Sequence, residues 1–255
     1  MSYFAMDYYN QIAQGRYSNI TPWEKLGFND TIVNVEEDII PQGGLYTWPA
    51  AATKMDLVSS NANDDGDPVG TGARTVTIYG LGATYNSLSE TVTLNGTTPV
   101  QTANTYLRIN NMRVATVGAL NKPAGNLTLS ETGGTTYRYG YIRAGFTRQR
   151  TMIYTVPLGQ TLYIVSGTFS STSGSATHWL RWTLRATYDD RAGLVLPANF
   201  FMPISEFQIQ DATFQRDYQI PMRLPATVDI KLSGIADAVG SNEVCSCALR
   251  GYLVS

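Results

Sequence analysis

The tightest constraint in this chain is a run of strict alternation. Leu180, Trp182, Leu184, Ala186 and Tyr188 occupy every second position, and Arg181, Thr183 and Arg185 stand between them. Successive side chains of a β-strand point to opposite faces, so this spacing predicts a strand with one buried face. The same period returns at Thr75–Ile78, Thr91–Leu94 and Met152–Val156. Leu107 and Ile109 share one parity, whereas Met112 and Val114 take the other, so a bulge is expected near Asn110 and Asn111. Asn95-Gly96 is a hairpin signal. Prolines 197, 203, 221 and 225 exclude helix from the later segments. Charged residues make up only 15% of the chain, which leaves too little Glu, Lys and Arg to coat long surface helices.

Strands at such spacing, with turns between them, predict an all-β protein. The expected fold class is two antiparallel β-sandwich or jelly-roll-like domains preceded by an aromatic N-terminal arm. The arm spans residues 1–29, the first domain 30–135 and the second 136–255. The first domain should bury Val76, Ile78, Val92, Leu94, Leu107 and Ile109. The second should bury Leu180, Trp182, Leu184, Ile230 and Leu232.

The arm lacks strand alternation but is rich in rings: Tyr3, Phe4, Tyr8, Tyr9, Tyr17 and Trp23. A short helix fits around Met6 to Ile12. Such a segment either packs on its own domain or anchors a neighbour, because exposed apolar patches are costly. These six aromatics are the candidate partner-interface residues. On this reading the first ~28 residues can be removed without unfolding the rest, since the alternating core begins later. Arg138, Arg143, Arg148 and Arg150 form the densest basic stretch, and Arg143 joins the candidate interface as a solvated or partner-facing charge.

Reactive chemistry finds little support. His178 is the sole histidine and follows a Ser/Gly loop, with no nucleophile elbow near it. Glu206 with Asp211, or Asp189 with Asp190, could form the carboxylate pair of a glycosidase, but sequence does not place them across a cleft. Asn63, Asp64, Asp65 and Asp67 offer oxygen ligands for Ca²⁺; they are also turn formers and lack the spacing of a helix–loop–helix calcium site. No phosphate loop, zinc spacing or dinucleotide fingerprint occurs. The expectation is therefore no enzyme, no catalytic residue, no metal and no cofactor. A net charge of −2 argues against a nucleic-acid partner. No apolar run approaches the roughly 20 residues of a membrane helix, and MSYFAMDYYNQIAQ has neither the basic start nor the apolar stretch of a signal peptide. Cys245 and Cys247, two apart on an expected strand, are too poorly angled to join and should be reduced, buried thiols, consistent with assembly in a reducing cytoplasm.

Several segments together carry a resemblance. EEDIIPQGGLYTWPAAAT, GTGARTVTIYGLGATYNSLSETVTLNGTTPV and YLRINNMRVATVGALNKPAGNLTL come in that order. They are followed by IYTVPLGQTLYIVSG, FQRDYQIPMRLPATVDIKLSG and the closing GYLV. From about Glu36 to the C-terminus the chain resembles a class of virion structural proteins of tailed bacteriophages that infect aquatic bacteria. The resemblance implies a particle component with no catalytic residues to transfer. The first expectation is a capsid decoration or cement protein, homo-oligomeric, bound to the major capsid protein or other virion proteins and located in the virion. A neck, tail or fibre-adaptor or receptor-binding protein is the alternative, and a carbohydrate-active enzyme the second alternative. The aromatic arm lies outside the resemblance.

Overall fold

The computed structural model describes residues 3–134, 137–172, 179–210, 212–237 and 243–255. The chain opens with helix α1 (Tyr3–Ala13), then β1 (Ile20–Ile32) and β2 (Glu37–Asp38). There follow β3 (Met55–Ser59), β4 (Ala73–Leu81), β5 (Ser87–Thr93), β6 (Val100–Gln101), β7 (Arg108–Val117), β8 (Leu127–Glu131) and β9 (Arg138–Ile142). The last part holds β10 (Ile153–Thr155), β11 (Thr161–Thr172), β12 (Leu180–Ala186), β13 (Tyr188–Asp189) and β14 (Leu194–Val195). It ends with β15 (Met202–Ile209), β16 (Thr213–Leu224), β17 (Asp229–Ala236) and β18 (Glu243–Val254).

The expected fold class, two β-sandwich or jelly-roll-like domains behind a separate arm, is corrected here. The described strands form four small antiparallel sheets and a two-stranded ribbon. The first sheet runs β1-β18-β11-β16, and the second runs β10-β17-β12-β15 with β2 added on β17. The third runs β6-β3-β8-β9 and the fourth β5-β4-β7, while β13 and β14 make the ribbon. The pairing is also nested rather than sequential. β1 pairs with β18, β10 with β17, β11 with β16 and β12 with β15. The last third of the expected arm is therefore strand β1, hydrogen-bonded to β18 from Ile20–Val254 to Asn29–Cys245. Periodicity could not reveal this, because it fixes which face a side chain takes and not which strand lies beside it.

Two hydrophobic cores result. The first gathers Trp23, Ile32, Ile39, Phe169, Leu180, Trp182, Leu184, Ile230, Leu232 and Leu249 from the first two sheets. The second gathers Ile40, Trp48, Leu57, Val76, Ile78, Val92, Ile109, Met112 and Leu129 from the third and fourth. Ile39 belongs to the first core and its neighbour Ile40 to the second. The chain crosses back at Met152 and Ile153, which again split between the cores. The crossings lie side by side: the Met152 amide donates to the Ile39 carbonyl at 2.9 Å. Adjacent residues of an extended chain face opposite ways, so two consecutive isoleucines can seal two cores at once.

Expected core positions are buried with one exception. Leu107 is half-buried and Arg108 takes the interior instead, at 3% exposure. The bulge falls where the parity change puts it: Tyr79 pairs with Asn111 and Gly80 with Ile109, leaving Asn110 unpaired. Freed from the ladder, Asn110 turns inward. Its side-chain amide donates to the Thr155 carbonyl at 2.8 Å, and its oxygen accepts from the Thr155 amide at 2.9 Å. Asn95-Gly96 does turn the chain, with Gly96 at φ +54°, but the strands on either side go to different sheets, β5 to β4 and β6 to β3. Cys245 and Cys247 are free and buried on one face of β18. Burial pushes both thiols well above their usual pKa, which makes them poor nucleophiles.

Candidate protein-binding surface

Helix α1 is tied down at its C-terminal end. Gly15, at φ +68°, donates to the Ile12 carbonyl and the Arg16 amide donates to the Gln11 carbonyl, the paired bonds that close a helix on a left-handed residue. Ile12 is buried and fixes one side of the helix. One turn back, flanking the same face as Ile12, stand Tyr8 and Tyr9, 36% and 46% exposed. Their rings lie 5.7 Å apart, edge to face. Tyr17 packs 5.6 Å from Tyr8, and its hydroxyl donates to Gln11 Oε1 at 2.9 Å. Tyr252 of β18 lies 6.3 Å from Tyr8 and stacks at 5.2 Å on Tyr163 of β11, its register partner. Partial burial, with Tyr8, Tyr9 and Tyr163 close by, raises the Tyr252 phenol above its usual pKa. Five tyrosines thus form one continuous ring cluster over the end of the first sheet. Tyrosine gives large contact area with few torsions to freeze and keeps a hydroxyl for hydrogen bonding, the properties that favour it at binding surfaces.

The structure brings together Tyr8, Tyr9 and Tyr17 among the expected interface residues. Tyr3 and Phe4 lie on α1, but their side chains fall outside the described residues. Trp23 does not join them. It is 8% exposed, belongs to the first core and meets the Tyr154 ring at 5.1 Å. Its position on β1, inside a sheet, removes it from any arm. Arg143 sits elsewhere, exposed at the boundary of the two cores and paired with Asp30 at 2.5 Å. Tyr163 and Tyr252 were missed because they lie inside strands and face outward. In sequence Leu162 to Val165 is a continuous apolar run that suits a strand buried on both faces, whereas the structure buries Leu162 and Ile164 and leaves Tyr163 and Val165 half-buried.

A groove of about 610 Å³ opens between the first and fourth sheets, with Trp23, Lys25, Tyr79, Leu88, Asn110 and Arg113 on its walls. Lys25 is buried and donates to the Asn110 carbonyl. Burial, then repulsion from Arg148, lowers its amine to about 7. The unfolded chain keeps this lysine charged to near the usual lysine value of 10.5, so between pH 7 and 10.5 the unfolded state holds more protons. Stability from this group is lowest below pH 7 and rises as pH climbs through that window. Lys25→Met should flatten the rise: chemical denaturation of the two proteins from pH 7 to 9 should show wild type gaining stability relative to the variant.

Three of the residues considered for reactions, Asp64, Asp189 and Glu206, hold other hydrogen bonds. Asp64 is fully buried and accepts four hydrogen bonds, from Ser59 Oγ and the amides of Ala73, Ala124 and Gly125, at 2.6–2.8 Å. A Cβ on Gly72 would stand 2.1 Å from this carboxylate, so only glycine fits beside it. Asp189 accepts from the Arg191 and Ala192 amides in a turn, and Glu206 accepts from Thr183. His178 and Asp211 lie outside the described residues.

No protein-family model matches the chain, and no curated protein does. Among solved structures it is similar to the VP2 subviral particle of infectious bursal disease virus, at 12% identity and TM-score 0.21, over 92% of this chain and 76% of the other. It is likewise similar to the Gx strain of that virus, at 13% identity and TM-score 0.22 with the same coverage. The T=1 particles derived from the virus match at 13% identity and TM-score 0.13, over 92% and 78%. These similarities are distant.

Proposed function

We propose that this chain is a virion structural protein that works by binding other proteins and catalyses no reaction. Within the particle we assign it to the capsid surface of a tailed phage, as a decoration or cement protein contacting the major capsid protein and further copies of itself. The observation that carries the reading is the tyrosine cluster on α1 and the adjoining sheet. Rings that pack on one another and still expose their outer edges form a ready contact surface, and each ring buried by a partner contributes roughly 1.5–3 kcal/mol. The resemblance from Glu36 onward supports the virion setting. The alternation of buried residues explains how so weakly charged a chain forms the stable scaffold behind that surface.

Replacing Tyr8 and Tyr9 together by alanine should abolish attachment and leave folding intact, because both rings stand outside the two cores. Co-sedimentation with particles stripped of the protein should show the variant in the supernatant, with its melting temperature unchanged. Attachment driven by these rings should depend only weakly on salt. Equal binding by both proteins would remove the tyrosine surface from the account.

A further inference from the structure

The boundary between the cores carries a concentration of positive charge that the tyrosine surface does not use. Arg143, Arg148 and Arg150 line one small pocket together with Phe28 and Phe146. Arg113 adjoins them, since its backbone forms a β-bridge with Arg148. The Arg150 guanidinium lies 4.3 Å over the Phe146 ring and that of Arg143 lies 5.9 Å over Phe28. Two carboxylates answer this charge: Asp30 pairs with Arg143, and Glu24 is shared by Arg148 at 3.6 Å and Arg250 at 3.2 Å. Arg113 and Arg150 have no carboxylate partner among the described residues. The protein as a whole has a net charge of −2, so the positive excess is local. Clustered like charges oppose folding unless something neutralises them. Guanidinium groups seated over phenyl rings are also partly fixed in position before they meet a carboxylate.

We propose that this patch docks an acidic segment of a protein partner, one in which carboxylates alternate with apolar side chains. The arginines would take the carboxylates, and the exposed parts of Phe28 and Phe146 the apolar groups. Glu24 and Asp30, set among the arginines, disfavour the unbroken negative charge of a nucleic-acid backbone. This contact is separate from the tyrosine surface and, unlike it, depends on salt.

The test is fluorescence anisotropy with a labelled Glu-Leu repeat peptide, a Lys-Leu repeat and a labelled oligo-dT strand, on the full-length protein. The Glu-Leu peptide should bind, and should bind less well as salt is raised. Arg143→Glu and Arg150→Glu should each weaken it by roughly tenfold or more. Arg223→Glu, on the far edge strand β16, should leave it unchanged. Melting curves check folding, and Arg113→Glu, an exposed position, carries the same expectation if Arg150→Glu does not fold. The proposal is overturned by no binding of the Glu-Leu peptide, by binding indifferent to all three substitutions, or by oligo-dT binding more tightly than the peptide.

Discussion

Replacing Asp229 by alanine should destabilise the protein by about 3–5 kcal/mol, the largest effect expected of any single polar substitution here. Asp229 is 2% exposed and holds Arg108 through two parallel bonds, Nε to Oδ1 at 2.8 Å and the second amino group to Oδ2 at 2.9 Å. Thr155 donates to the same carboxylate at 2.5 Å, and the Asp229 amide donates to Thr187 Oγ1. Arg108 opens β7 of the second core's sheets and Asp229 opens β17 of the first core's. Removing the carboxylate would strand a buried guanidinium, and the cost comes from that stranded charge more than from the attraction lost. The double variant Arg108→Met with Asp229→Leu should therefore recover a large part of the loss. Urea denaturation of the two single variants and the double closes the cycle. Single variants costing under about 1 kcal/mol would mean that water already reaches the pair. The pair also ties the two cores together, with Asn110 and Thr155 beside it, so wild type should unfold in one transition.

Deleting the first 28 residues should abolish the native fold, whereas deleting the first 15 should leave the melting temperature nearly unchanged. This reverses the expectation from sequence of a removable arm. The longer deletion takes away most of β1, and with it the ladder along β18 and Trp23 from the first core. Loss of a buried tryptophan alone costs about 3–5 kcal/mol. Gly27 is lost as well; it lies so close to Cys247 that an added Cβ would stand 2.6 Å from the sulfur, so β18 has shaped itself around this strand. The shorter deletion removes α1, whose attachment rests on Ile12 and the tyrosine contacts. Near-UV circular dichroism and thermal melts distinguish the cases. A native spectrum from the longer deletion would show that β18 can stand as an edge strand without β1.

What sequence made legible was the face each side chain takes. Alternation placed Trp182 and its strand mates inside, and the parity change near Asn110 marked the bulge. Partnership was not legible. β1 and β18 lie at opposite ends of the chain, and nothing local in either names the other. Ile39 and Ile40 are neighbours of the same residue type, and nothing in that marks each as sealing a different core. Arg108 defeated the parity argument because its charge is matched by a residue more than a hundred positions away. At the candidate surface, Tyr8, Tyr9 and Tyr17 were found by composition alone. Tyr163 and Tyr252 join them only through the register of β11 against β18, and Trp23 left the group because β1 is a strand.

The central claim is that this protein is a built-in part of a virus particle, and the most direct measurement is quantitative mass spectrometry of particles banded twice by density. The account predicts that the protein co-bands with the major shell protein in a fixed stoichiometric ratio, the same from one preparation to the next. A low copy number in fixed ratio would move it from the shell to the neck, tail or fibre. Absence from the banded particles, or a ratio that falls with each round of banding, would contradict the claim.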